Sequence, residues 1–325
     1  SQQSSGNPKW FSYTLMGDGI EQWHPRFSYY GFRYLQVEWS SGKGEVVSLT
    51  GQAVHSSSQT VGDFASSNEM LNGIHHLITT AMENNTVSIF TDCPHREKLG
   101  WLEETNLVAP GLIFNSDLQR MFAATADNIA DAQKADGMVP TTAPQYTVFG
   151  EHGYGIFDDS PEWGSASVLA AWSAYRAYGD VGELQREYPV MQGYVKFLES
   201  KAQDGIVAYG LGDWYDIGPG GPGLSKQTTM GVTATLMLYE DAVAMAKIAK
   251  LLDKPEEAAR YTTLAEKTGA AFNTRFWNPS TQQYDKGSQT ASAMPLALGL
   301  VPKERRAEVL EHIVADIHAH NDHVT

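Results

Sequence analysis

Cysteine occurs once in the 325 residues, at Cys93, so no intramolecular disulfide can form. A lone Cys beside Pro94, with no base paired to it in sequence, reads as a packed, inert thiol rather than a nucleophile. No apolar run approaches the roughly 18 residues of a membrane span, so no membrane partner is expected. Basic residues are scarce: 23 Lys and Arg face 38 Asp and Glu, for a net charge of −15. With no basic cluster to offset that charge, a nucleic-acid partner is excluded by repulsion. No phosphate loop, dinucleotide fingerprint or Gly-x-Ser-x-Gly elbow occurs, so no cofactor is expected. Cys93-x-His95 and His75-His76 lack the paired spacing of a zinc site, and no metal is assigned. The chain starts at Ser1 without Met and shows no signal peptide, which reads as a processed or recombinant fragment. A secreted or periplasmic location is expected.

What is present is a change of period. Residues 1 to 9 are small and polar and read as a loose terminus. From Trp10 to about His55 the pattern is β-like: Leu35, Val37 and Trp39 alternate with Gln36 and Glu38, and Val46 to Leu49 resumes after a Gly-rich turn. This is too little for a free-standing sandwich. Residues 1–60 are therefore expected to be the C-terminal part of one, or strands packed on the helical part of the chain. After Ser56 the period becomes 3.6. Ser66 and Glu69 form a capping-box pattern ahead of the face Met70, Ile74, Leu77 and Ile78. Helical faces recur at about 116–129, 163–178, 186–200, 230–252, 256–276 and 303–318, with shorter helices at 101–114 and 290–298. About nine helices with no convincing strands between them make residues 61–325 an all-α domain. The connections 134–162 and 201–228 are long and rich in Gly, Pro and aromatics, as functional loops are. Short loops at one end and long aromatic loops at the other suit a toroid of helical hairpins.

The most informative run is Thr91-Asp92-Cys93-Pro94-His95-Arg96-Glu97-Lys98-Leu99-Gly100-Trp101. Carboxylates do proton work, Arg orients hydroxyls or carboxylates, and Trp offers a flat apolar face to a sugar ring. The same residue types also suit a plain helix start with an ion pair and a core Trp. The order of residues favours the first reading. The run resembles the signature of the family 78 glycoside hydrolases, the α-L-rhamnosidases, in which Asp-Cys-Pro-x-Arg leads through an acid to Leu-Gly-Trp. Phe27 to Tyr34 resembles the end of that family's β-sandwich. Gly62-Asp63-Phe64 through Asn68 and Asn72 resembles the entry to its barrel. Pro161-Glu162-Trp163-Gly164, Gly212-Asp213-Trp214 and Ser288-Gln289-Thr290-Ala291 resemble later stations of it.

The resemblance implies an (α/α)₆-barrel and an inverting hydrolase that removes α-linked L-rhamnose from plant or microbial glycans. Inversion uses an acid and a base roughly 6.5–9.5 Å apart. By the motif the acid falls on Glu97. The stretch from Arg96 to Trp101 is one residue shorter than in the longer form of the motif, and Glu104 stands where many members have Asp, so Asp92 is the second candidate. The implied substrate contacts are Asp92, Arg96, Trp101, Glu104, Trp163, Asp213 and Trp214. Each of these Trp residues can equally be core packing. The family's base is a Glu in a Trp-Glu context late in the barrel. No Trp follows Trp277, and Glu304, Glu308 and Glu311 read as a charged helix face, so the base is expected to be missing from this chain. Six hairpins need about twelve helices, and the barrel is expected to be incomplete. Met70, Ile74 and Leu77, and at the other end Val309, Ile313 and Ile317, would then face water, or meet the missing C-terminal segment or a second copy. Two other readings stay open: a barrel glycosidase for another sugar, and a non-catalytic carbohydrate-binding fragment.

Overall fold

The computed structural model describes residues 10–218 and 220–324. The expectation for residues 1 to 9 lies outside them. In chain order the elements are β1 (Gln59–Thr60), α1 (Glu69–Asn84), β2 (Thr86–Val87), β3 (Ile89–Phe90), α2 (Leu102–Asn115), β4 (Ser116–Asp117) and α3 (Gln119–Ala132). Two 3₁₀ turns come next, Phe149–His152 and Gly155–Phe157. Then come α4 (Pro161–Gly164), α5 (Ala166–Tyr178), α6 (Val181–Lys201), α7 (Met230–Leu251), α8 (Pro255–Phe276), β5 (Trp277–Asn278), β6 (Gln283–Tyr284), α9 (Gln289–Ala297) and α10 (Arg306–Ala319). The chain divides into two units, Ser1–Gly100 with Phe114–Asp117, and Trp101–Ile113 with Leu118–Thr325.

In the first unit the expected strands between Trp10 and His55 are absent among the described residues. A strand exists only through its ladder, and among the described residues no ladder forms on this segment. Leu35, Val37 and Trp39 are all exposed, so the alternation buries neither face. The ladders present here are the two-residue antiparallel pairs β1–β4 and β2–β3, the first setting Gln59 against Asp117. The helix cap also differs from expectation. Asn68, not Ser66, caps α1, its Oδ1 accepting from the Met70 amide at 2.9 Å. Ser66 instead donates to Asn72 Oδ1. No residue of α1 is buried, and Met70, Ile74 and Leu77 are exposed, as expected.

The second unit is built from helices in hairpin succession, and every helix expected there is present. α6 starts earlier than its apolar face suggests because Asp180 caps it, accepting from the Glu183 amide at 3.0 Å. α5 is preceded by the separate turn α4, opened by Pro161 at its first position. α7 is the central helix. Fourteen of its 22 residues are buried, unbroken over residues 231–238, and its neighbours α5, α6 and α8 pack around it. One core lies between α5, α6 and α7 around Val168, Leu184, Met191, Tyr194, Leu198 and Met245. A second joins α7 through Leu236 to Phe272, Tyr284, Ala291 and Val309. Val309 is thus buried, against expectation: the face of α10 that carries it packs on this second core, with Ile313 half-buried beside it.

Mid-way along α7, Asp241 is fully buried. One carboxyl oxygen accepts from Ser165 Oγ at 2.8 Å, and the other has no partner among the described residues. Burial pushes its pKa well above the ordinary 3.8, with Ser165 opposing and Glu240 adding to the rise. An acid that holds its proton more tightly when folded stabilises the fold at low pH. That stability drains away as pH rises above the unfolded value. Asp241→Asn keeps the shape without the charge. We expect it to raise the melting temperature by about 2–4 °C near pH 7.5 and by less near pH 4. A lower melting temperature at both pH values would show that the acid itself is needed.

Candidate active site

In the first unit the run from Asp92 to Gly100 forms a closed turn rather than a helix start. The Asp92 amide donates to the Leu99 carbonyl at 3.2 Å, and the Leu99 amide donates back to Asp92 Oδ1 at 3.1 Å. Asp92 is therefore engaged with the backbone of its own loop. Pro94 opens the turn, and Lys98 closes it at φ +55. Inside it, the Glu97 amide donates to Cys93 Sγ at 3.1 Å, and Arg96 lies 3.7 Å from the Glu97 carboxylate. That ion pair is half exposed and contributes little by itself. The turn is fastened through Lys98, whose ammonium donates to the Tyr29 carbonyl and sits over the rings of Tyr29 and Tyr30, at 4.3 and 4.0 Å from their centres. Asp92, Arg96 and Glu97 are thus brought together on one turn.

The second unit collects the other candidates. Trp101 bridges to Thr142, and the Leu102 amide donates to the Thr141 carbonyl at 2.9 Å, so the start of α2 is tied to the long 134–162 loop. The ring of Trp101 stacks on Phe149, with centres 5.3 Å apart, and meets Phe157 and Trp163 edge-on. Phe157 in turn meets Trp214 edge-on at 5.6 Å. Five rings from four chain segments form one cluster. Trp163 is only 3% exposed, so its ring faces are packed rather than presented, and its Nε1 has no partner among the described residues. Trp101 and Trp214 remain half-buried.

Beside the rings lies a group of carboxylates that motif reading misses in part. Glu103, in the first turn of α2, has its pKa pushed up to about 8, by burial first and then by the charges of Glu104, Glu162 and Asp213. Glu162 is buried, and burial also raises its pKa, against hydrogen bonds from Ser160 and Thr233. Asp159 is raised to about 6, mainly by burial, while its bond from Tyr209 opposes the rise. Among the described residues none of Glu103, Glu162 and Asp213 forms an ion pair. Asp213 Oδ2 accepts from Thr228 Oγ1 at 3.2 Å, and Thr228 Oγ1 lies 2.7 Å from Ser288 Oγ. Ser288 also caps α9, accepting from the Ala291 amide. Thr228 and Ser288 thus tie two of the motif stations together. The loop carrying Asp213 and Trp214 is closed by Asp216, whose Oδ2 accepts from the amides of Lys226 and Gln227 at 2.7 and 2.6 Å.

Proton-holding carboxyls beside half-buried indole faces can bind a polyhydroxylated ring: the carboxyls exchange hydrogen bonds with hydroxyls, and the rings cover C–H faces. Among the described residues no set of three His, Cys, Asp or Glu side chains is grouped to hold a metal ion. No helix among them is long and apolar enough to cross a membrane.

Residues 59–325 match the bacterial α-L-rhamnosidase six-hairpin glycosidase domain, and residues 5–55 match the bacterial α-L-rhamnosidase concanavalin-like domain. An α-L-rhamnosidase of Streptomyces avermitilis is 33% identical over 97% of this chain and 29% of its own length. Among solved structures, the α-L-rhamnosidase from Dictyoglumus thermophilum superposes with a TM-score of 0.77 at 35% identity, covering 84% of this chain and 30% of that one. The Streptomyces avermitilis enzyme complexed with L-rhamnose gives a TM-score of 0.74 at 29% identity, over 82% of this chain and 24% of that one. The chain spans about a third of the length of the curated relatives it matches.

The raised pKa of Glu103 has a measurable consequence. Its proton stabilises the folded state at low pH, and that contribution is lost as pH rises from the ordinary 4.5 through about 8. In Glu103→Gln this part of the pH dependence should vanish. Denaturant titrations near pH 5 and near pH 8 should then differ less for the variant than for the parent. An unchanged difference would mean that Glu103 is ionised in the fold across that range.

Proposed function

Because this chain belongs to the bacterial α-L-rhamnosidases, we propose that the protein containing it is an inverting glycoside hydrolase that removes α-linked L-rhamnose from glycans or glycosides. The observation that carries this reading is the turn from Asp92 to Trp101. The family's acid-bearing motif lies on a turn whose backbone closes on itself between Asp92 and Leu99, which supports Glu97, held on that turn, as the acid. Glu97 is the general acid, donating its proton to the glycosidic oxygen as the bond to the sugar breaks. Arg96 orients that carboxylate and the sugar hydroxyls. Asp92 takes the structural part of the loop, since its Oδ1 already accepts from the Leu99 amide.

Trp101 and Trp214 supply the apolar faces for the sugar ring. Trp163 supports Trp101 edge-on. Glu104 and Asp213 accept from sugar hydroxyls, and Glu103, holding a proton, can donate as well as accept. Glu304, Glu308 and Glu311 are not proposed as the general base. Glu304 and Glu311 are exposed and Glu308 half-buried, on or beside α10, outside every motif station. The Streptomyces avermitilis relative, complexed with L-rhamnose on this same fold, supports the choice of sugar.

Glu97→Gln keeps the side chain's shape and removes its proton. In the complete protein, hydrolysis of natural rhamnosides should fall about 10²–10⁴-fold. Aryl rhamnosides with good leaving groups need less protonation and should lose much less. Equal losses on both substrates, or parent-level rates, would remove Glu97 from the role. A selective loss in Asp92→Asn instead would transfer the role there.

A further inference from the structure

Glu162 breaks the ordinary rule for buried charge. It is 6% exposed, and no cation pairs with it among the described residues. A carboxyl in that position is expensive unless donors surround it. Here they do, and they come from three separate parts of the chain. Ser160 Oγ donates to Oε2 at 2.5 Å from the loop ahead of α4. Thr233 Oγ1 donates to Oε1 at 2.5 Å from the first turn of α7, 71 residues away. The Gly212 amide donates from the loop that carries Asp213 and Trp214. Ser160 extends the chain of bonds, because its Oγ accepts from the Leu211 amide at 2.8 Å. Gly210 leaves the room: at φ +126, a Cβ there would stand 2.8 Å from Glu162 Oε2, so only glycine lets this loop close over the carboxyl.

From this convergence we infer that Glu162 is a positioning residue for the rhamnosidase site, holding the Gly212 amide directly and the Leu211 amide through Ser160, so that Asp213 and Trp214 stay against the ring cluster. The inference rests on the function proposed above and goes beyond it, since it assigns a role to a residue with no open face to a ligand. A purely structural anchor would not need an acid. Val168, Leu211 and Leu236 show that apolar residues fill the interior of this unit elsewhere. What the carboxyl provides is two acceptor oxygens in one place, each fixing a different element. An error of about 1 Å at a substrate contact is enough to weaken binding strongly.

The test uses the complete protein with p-nitrophenyl α-L-rhamnoside as probe. Thr233→Val removes one donor and Ser160→Ala another. Each should raise KM about three- to tenfold, the loss of one hydrogen bond's positioning, with kcat changed less. Thr233→Ser, which keeps the hydroxyl, should restore KM. Acrylamide quenching of tryptophan emission should rise in Thr233→Val, and that rise should disappear when Trp214→Phe is added. Glu162→Gln should be intermediate, since its amide oxygen still accepts from one side. Variants whose melting temperature falls while KM and quenching stay at parent values would overturn the inference and leave Glu162 a structural anchor. If the parent does not hydrolyse the rhamnoside, the proposed function fails instead. The quenching comparison alone then decides the positioning role.

Discussion

A buried carboxyl without a cation dictates where its neighbours must be. Glu162 needs donors on both oxygens, and it draws them from a loop, a helix start and a second loop that are far apart in sequence. Once Ser160, Gly212 and Thr233 are committed to it, the path of residues 209 to 214 has little freedom. The placement of the rings is then set. Trp163 is the next residue in the chain, Trp214 lies two residues beyond Gly212, and Phe157 and Trp101 fill the space between them. The site's geometry in this unit is a consequence of satisfying one acid.

That arrangement is unfavourable for the fold taken alone. Glu103, Asp159 and Glu162 all have pKa values raised by burial, which means each would be more comfortable in water. The helical scaffold absorbs the deficit. α7 is buried on every side over residues 231–238 and ties both cores together through Val232, Leu236, Met245 and Ile248. Raised acids gathered at the end of a rigid helix, beside long loops rich in aromatics, are what a binding site looks like when stability is sacrificed locally. Asp241 shows that the tool is not reserved for sites, because it sits in the helix interior with Ser165 as its partner among the described residues. Burial alone therefore does not identify a functional acid, and the site proposed here rests on convergence with rings and loop ends as well.

The helices are legible in the sequence because their information is local. A period of 3.6 over fifteen residues survives any tertiary context, and the faces around Leu118, Met191, Leu236 and Phe272 are all core or core-facing surface. The β-like segment around Leu35 to Trp39 forms no ladder among the described residues, because alternation records only a preference for a ladder and a ladder requires a partner; the match of residues 5–55 to a concanavalin-like domain agrees with the β reading. The cap of α1 lies two residues later than its sequence pattern suggests, since Ser66 and Asn68 are both good acceptors and only geometry decides between them. Among site residues, the motif points to Glu97, Trp101 and Glu104. It passes over Glu103, whose adjacency to Glu104 at a helix start looks like an ordinary acidic first turn. Glu162 stands in a recognisable motif, yet its partner Thr233 carries no sequence signal at a separation of 71 residues.

Glu97 and Glu162 also illustrate different ways of fixing a side chain. Around Glu97 the restraint is backbone geometry: a closed turn, a positive φ at Lys98 and an amide held by Cys93 Sγ. This explains a lone cysteine without invoking reactivity, since a half-buried thiol here serves as a soft acceptor inside a tight turn. Around Glu162 the restraint is side-chain chemistry delivered from afar. Glu97 stays exposed at its turn, with Arg96 beside its carboxylate. Glu162 is buried with donors on both oxygens, which suits a group that only has to stay in place. The difference in how the two glutamates are held is the strongest physical reason to give them different roles.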